Sequence, residues 1–521
     1  MLFNSYLFIF IFLPLTLFFW YSLNHRRRYT AAKALLTVMS FWFYGYFNPY
    51  YLLIMLISII INYGLSHYLQ TVSTTIKRRL GLFAGILFNL GLLFYFKYYD
   101  FFIENINQLF SRDFNLKHIL LPLGISFFTF QQLSYLIDRY KKKALHCSLL
   151  DYAAFVSFFP QLVAGPIVLH EELLPQLAEH PFPTNPNRKR FNPTVFAQGI
   201  TLFVLGLAKK VLLADNLALA VNHGYNNAHL LDTTSTLLVV LAYTFELYFD
   251  FSGYCDMAIG LGKMFNIKLP INFNSPYHAT SVKELWGRWH MTLTRFFTTY
   301  LYIPLGGNRH GFAQTARNTM IVFSLSGLWH GADWTFVIWG ILQGIMVVWD
   351  HLGLVAVRAK DSPIHNKPAE NTRINNNHAK NALLSIPRWL GWFCTFSFFN
   401  LSFIFFRSPD LTIARQMWKN LFSFQNSGYL YKLVAQIDLP EFYILRQFVD
   451  LTAPQLLNHL NLAIFLLLLV ISAFIIGRWR TALTIAEQTP LSSRFCWYIA
   501  LLFAWSIISF SQVSTFIYFN F

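Results

Sequence analysis

The fold class predicted by this sequence is an all-α polytopic membrane protein, on three observations. The first is missing charge: of 521 residues, 55% are hydrophobic, 19% aromatic and only 12% charged, whereas a soluble domain carries about 25% charged residues. The second is a series of apolar windows long enough to cross a hydrocarbon core about 30 Å thick at about 1.5 Å per residue. The third is the placement of the basic residues. A net charge of +17 would suit a nucleic-acid binder if it formed a face, but it is broken into short clusters beside the apolar windows, so nucleic acid is excluded as a partner and membrane lipid takes its place.

The windows run in order over residues 2–23, 31–47, 51–69, 80–96, 119–137, 195–208 with its continuation, 235–249, 335–349, 388–406, 461–477 and 496–512. The first is too long and wrongly flanked for a cleaved leader and is read as a retained helix. "HRRR" (25–28), "KRR" (77–79) and "RYKKK" (139–143) are separated by two windows each, and "NRKR" (187–190) follows. This alternation is what the positive-inside rule produces, with the N terminus outside and the basic loops in the cytoplasm. Residues 166–194, polar and proline-rich, read as a cytoplasmic loop. Residues 353–387 have the composition of a flexible polar loop. No internal repeat or appended soluble domain is evident, so 1–521 reads as one transmembrane domain. Cys147, Cys255, Cys394 and Cys496 are scattered, implying neither a disulfide framework nor a zinc site.

Residues 243–334 differ in texture, because polar, glycine and aromatic residues interleave too closely for a plain spanning helix. Irregular backbone at membrane depth is tolerated only against protein or a water-filled cavity, so this stretch is expected to line a cavity. Within it, 282–297 reads as an amphipathic helix with Leu285, Trp289, Leu293 and Phe296 on one face. "SLSGLWHGADW" (324–334) places His330 among apolar residues. As a packing element, His330 would sit on a face of small residues, Gly327 and Gly331. Ionisable residues inside a membrane usually mark function, however, and a neutral imidazole there suits general-base work. His290, in "WGRWHMTL", adds a second imidazole to the same region. Glu246, Asp250 and Asp256 would either orient a histidine or pair with Arg288 or Arg295. There is no Walker A sequence, nucleophile elbow, dinucleotide fingerprint or HExxH.

Taken in order, "MLFNSYLFIFIFLPL" at the start, "FYGYFNP" (43–49), "LPLGISFFTFQQLSYLIDRY" (121–140), "FFPQLVAGPI" (158–167), "YFDFSGYCDMAIGLGKMFNI" (248–267), "LWGRWHMTLTRFF" (285–297), "YIPLGGNR" (302–309) and "LSGLWHGADWTFVIWG" (325–340) resemble the membrane-bound O-acyltransferase (MBOAT) family, and within it the alginate O-acetylation branch that modifies bacterial polysaccharides. The resemblance implies an MBOAT fold of roughly eleven or twelve transmembrane helices, with re-entrant and amphipathic helices, around a central funnel. The family's near-invariant histidine falls on His330 and its second catalytic position on His290, with Asp250, Ser252, Trp286, Arg288, Trp289, Ser326 and Trp329 as cavity-lining candidates. It implies no bound cofactor, a donor substrate such as acetyl-CoA or another acyl thioester, a glycan acceptor, an extracytoplasmic SGNH or esterase-like acetyltransferase partner, and a place in the bacterial cytoplasmic (inner) membrane. The ending "FIYFNF" resembles the C terminus of a small membrane peptide of Gram-positive D-alanylation systems. With 496–512 leading outward, Tyr518 becomes a candidate acyl relay; the alternative is an interfacial aromatic anchor. Two other functions stay open at this stage: D-alanyl or other acyl transfer from a carrier-protein thioester, and a proton-coupled transporter or flippase.

Overall fold

The computed structural model describes residues 1–144, 146–177, 190–357, 384–437, 439–478, 480–511 and 516–517. Helices dominate, and eight of those described are long and apolar enough to cross a membrane: Phe8–His25, Pro49–Thr71, Thr75–Phe110, Pro193–Asn226, Thr233–Met264, Trp334–Leu352, Arg388–Arg407 and Pro454–Gly477. Tyr29–Gly45 and Ser493–Ile508 are shorter helices in two further windows. This is the all-α polytopic architecture expected. The chain packs as two compact units, one of residues 1–211, 251–271 and 482–521, the other of 212–250 and 272–481.

In the first unit, an aromatic cluster of Phe3, Phe8, Phe12, Phe43 and Phe159 fills the core, with ring centroids 5.0–5.8 Å apart for most neighbouring pairs. Polar side chains buried among apolar helices pair with each other, because hydrocarbon offers no alternative partner. The Asn62 and Asn89 amides bond reciprocally, Asn89 donating at 2.6 Å and Asn62 at 3.2 Å. Gln132 donates to Ser58 at 3.0 Å.

The Pro193–Ala208 helix lies against residues 251–264 through glycines seven apart on both sides. A Cβ on Gly206 would meet the Gly253 carbonyl at 2.5 Å, and one on Gly199 the Gly260 carbonyl at 2.7 Å. That packing corrects one sequence expectation. Residues 243–264 are not irregular; they belong to a continuous helix, Thr233–Met264, and their glycines serve close helix approach instead of a break.

The window expected over 119–137 is also shifted. Its helix runs Ile125–Tyr140 and begins after Gly124, which takes a left-handed φ of 69°. A side chain on Gly124 would meet the Leu162 carbonyl at 2.7 Å. Within the expected 166–194 loop, His170–Leu177 forms a short helix with five buried residues, and residues 178–189 lie outside those described.

In the second unit, the Phe312–His330 and Trp334–Leu352 helices form a tight hairpin. Asp333 caps the second by accepting the Thr335 amide at 2.8 Å, as an N-cap aspartate does. At the ends of the polar 353–387 stretch, Val355–Val357 and Leu384–Ile386 pair as two short parallel strands, and residues 358–383 lie outside those described.

Candidate active site

The site is built on the hairpin of the second unit and on the segment that precedes it. His330 is the last residue of the Phe312–His330 helix and is 3% exposed. Its ring sits in an aromatic cage: Trp329 at 4.8 Å, Trp339 at 5.2 Å edge-on and Phe406 at 5.2 Å, centroid to centroid. Gly327 places the hairpin partner close enough for Trp339 to reach, since Gly327 and Gly340 stand face to face with no room for a Cβ on either. Of the two glycines expected to form a packing face, Gly327 thus serves on the His330 helix, whereas Gly331 lies beyond its end in extended backbone, where a Cβ would meet the Phe336 ring at 2.2 Å.

His290 is fully buried, and its ring centroid lies 6.5 Å from that of His330 and 6.1 Å from that of Trp329. The single amphipathic helix expected over 282–297 is replaced by two short helices, Val282–Trp286 and Met291–Phe297. His290 interrupts them at a left-handed φ of 46°. The reason is a clamp supplied from Asn272. Its backbone carbonyl accepts the Met291 amide at 3.0 Å, and its side-chain oxygen accepts the Thr292 amide at 3.2 Å and the Thr292 hydroxyl at 2.9 Å. The same oxygen lies 3.2 Å from His290 Nδ1. The first short helix is capped locally, by Ser281 accepting the Glu284 amide at 3.1 Å.

The other sequence candidates divide. Trp329 joins both histidines, and Ser326 is buried one turn before His330 on the same helix. Trp286 stands one ring back, 5.8 Å from Trp339, and donates its indole N–H to Gln343 at 3.3 Å. Trp289 is buried among Phe273, Phe399 and Phe403. Arg288 is held by Glu284 one turn earlier, at 2.9 Å. Asp256 instead pairs with Lys209 at 2.6 Å, in the first unit. Asp250 is buried on the long helix in the second unit, and Ser252 is buried on the same helix in the first. Tyr518 lies outside the described residues. Among the described residues, no three His, Cys, Asp or Glu side chains gather as a metal-ligand set.

Sequence reasoning missed Asn272, Gln343, Trp339 and Phe406. Asn272, one of two asparagines in "KLPINFN" (268–274), is a detectable signal, but the two cage rings come from helices distant in the chain.

Residues 139–359 match the profile described as MBOAT, membrane-bound O-acyltransferase family. Among curated relatives, the chain is 40% identical over 447 residues to a peptidoglycan O-acetyltransferase of Helicobacter pylori, covering 81% of this chain and 80% of that protein. It is 37% identical over 432 residues to a probable alginate O-acetylase of Pseudomonas aeruginosa, covering 81% and 75%. Its identity to the teichoic acid D-alanyltransferase of Streptococcus thermophilus is 29% over 307 residues, covering 54% and 68%.

Proposed function

The chain belongs to the membrane-bound O-acyltransferase family and is an acyltransferase; on that premise we propose that it takes an acetyl group from acetyl-CoA at the cytoplasmic face and passes it across the membrane for O-acetylation of an extracytoplasmic glycan. The observation that carries this reading is the pair of buried imidazoles, His290 and His330, with ring centroids 6.5 Å apart in an aromatic enclosure.

Transfer needs a proton removed from an acceptor hydroxyl as its oxygen attacks the thioester carbonyl carbon. It then needs a proton returned to the sulfur when the carbon–sulfur bond breaks, giving an ester and a free thiol. His330 acts as the base and His290 positions the reacting groups or relays the proton, a contribution of about 10²–10⁴-fold in rate. Burial of both rings among aromatic side chains favours transfer over hydrolysis, because closing a site against solvent suppresses that side reaction. The relatives' names, a peptidoglycan O-acetyltransferase and a probable alginate O-acetylase, support a bacterial envelope glycan as final acceptor. An SGNH or esterase-like partner outside would complete the transfer. The basic clusters support an inner-membrane topology with the N terminus outside. Tyr518 is the proposed relay hydroxyl. A D-alanyl thioester on a carrier protein is the competing donor, and the relative that supports it is less similar, at 29% identity.

The test supplies acetyl-labelled acetyl-CoA to inside-out membrane vesicles containing the protein. Label moving to protein, lipid or glycan in wild type, and lost by about 10²–10⁴-fold in His330→Ala, is the expected result. Equal transfer in both would make His330 a packing residue and end this mechanism. Tyr518→Phe in the same assay tests the relay.

A further inference from the structure

We propose that Asn272 is a positioning residue that sets which nitrogen of His290 carries the proton. The orientation of an asparagine amide is ordinarily ambiguous between oxygen and nitrogen. Here the surroundings decide it, because the Thr292 backbone N–H can only donate and it points at the Asn272 atom from 3.2 Å. That atom is therefore the carbonyl oxygen, and the Thr292 hydroxyl donates to it as well, at 2.9 Å. A carbonyl oxygen cannot donate, so His290 Nδ1, 3.2 Å from it, must be the N–H. A neutral imidazole carries one N–H, which leaves Nε2 as the nitrogen with the lone pair, the one able to accept a proton during transfer.

The assignment is built into the backbone. Asn272 holds the turn twice, through its own carbonyl on the Met291 amide and through its side chain. His290 occupies a left-handed φ of 46°, a conformation rare for a residue with a side chain, and the clamp makes this turn and the Nδ1 contact one feature. His330 presents a titratable ring to His290 from the neighbouring helix; on its own segment, Arg288 is engaged by Glu284. The inference rests on the acyl-transfer reading, in which His290 handles a proton.

The experiment measures acetyl transfer in vesicles against pH for Asn272→Asp, Asn272→Ala, His290→Ala and the double variant Asn272→Ala/His290→Ala. Aspartate keeps an oxygen for the Thr292 amide, so the turn survives, but its charge beside Nδ1 stabilises the imidazolium. The acid limb of the rate profile then moves to higher pH, by about one unit or more. Asn272→Ala lowers turnover with little change in the KM for the donor, and adds no further loss in the His290→Ala background.

His290→Ala inactive with Asn272→Asp following the wild-type pH profile would overturn the role of Asn272 alone, leaving it a helix cap. Losses that multiply in the double variant would do the same. His290→Ala at wild-type rate would instead remove the proton-handling role of His290 from the proposed function, and this inference with it.

Discussion

Gly327→Ala tests whether helix packing places His330. Gly327 lies three residues before His330 and faces Gly340 across the hairpin. A Cβ there would stand 2.3 Å from the Phe336 carbonyl oxygen, 3.0 Å from Gly340 Cα and 3.1 Å from Gly340 N. All three atoms are backbone, so no side chain can swing aside. Since ordinary contact begins at 3.4 Å, the two helices must part by about 1 Å. A displacement of that size between reacting groups can cost about 10²-fold in rate, and overpacking a well-filled interface costs about 1–3 kcal/mol. The movement separates His330 from Trp339 on the partner helix, which forms one wall of its enclosure. The assay is the initial rate of acetyl transfer in vesicles at matched protein level, with the thermal midpoint in detergent measured in parallel. Gly64→Ala, where a Cβ meets nothing within 4 Å, is the control expected to stay active. A Gly327→Ala protein with wild-type rate and midpoint would refute the argument that glycine-mediated approach sets the geometry of the site.

Two further outcomes follow from buried polar contacts. Gln343 is fully buried, accepts the Trp286 indole N–H and donates to Ser402 at 2.9 Å, so Gln343→Leu strands the indole donor and costs about 1–3 kcal/mol, read as a lower thermal midpoint; an unchanged midpoint would contradict the bridging role. Lys209→Met leaves the mostly buried Asp256 carboxylate without its ammonium partner and costs about 3 kcal/mol, whereas Lys209→Met/Asp256→Leu recovers most of that loss because neither charge is then stranded; a double variant no more stable than the single would contradict it.

Much of the membrane architecture was legible because hydrocarbon imposes a length and a composition on each spanning segment. The windows at 51–69, 335–349, 388–406 and 461–477 each fall within a described helix. The helix that carries His330 was not among the windows, since its first half, "FAQTARNT", is too polar to meet that criterion; its Asn318 is tied instead to the preceding turn, donating to the Leu305 and Gly307 carbonyls at 3.2 and 2.9 Å. The break at His290 was illegible for a different reason. The local pattern of 282–297 does favour one amphipathic helix, and the acceptor that defeats it belongs to Asn272, eighteen residues earlier in the chain.

The sequence by itself determined the class of protein and the two imidazoles at which to look, because charge, apolar length and motif order are properties of the chain read one residue after another. Only the tertiary structure decided that those imidazoles lie 6.5 Å apart, that Trp339 and Phe406 enclose one and that Asn272 orients the other. These are relations between segments far apart in the chain, fixed by which glycine faces which backbone and which buried donor finds which acceptor, and local pattern carries neither.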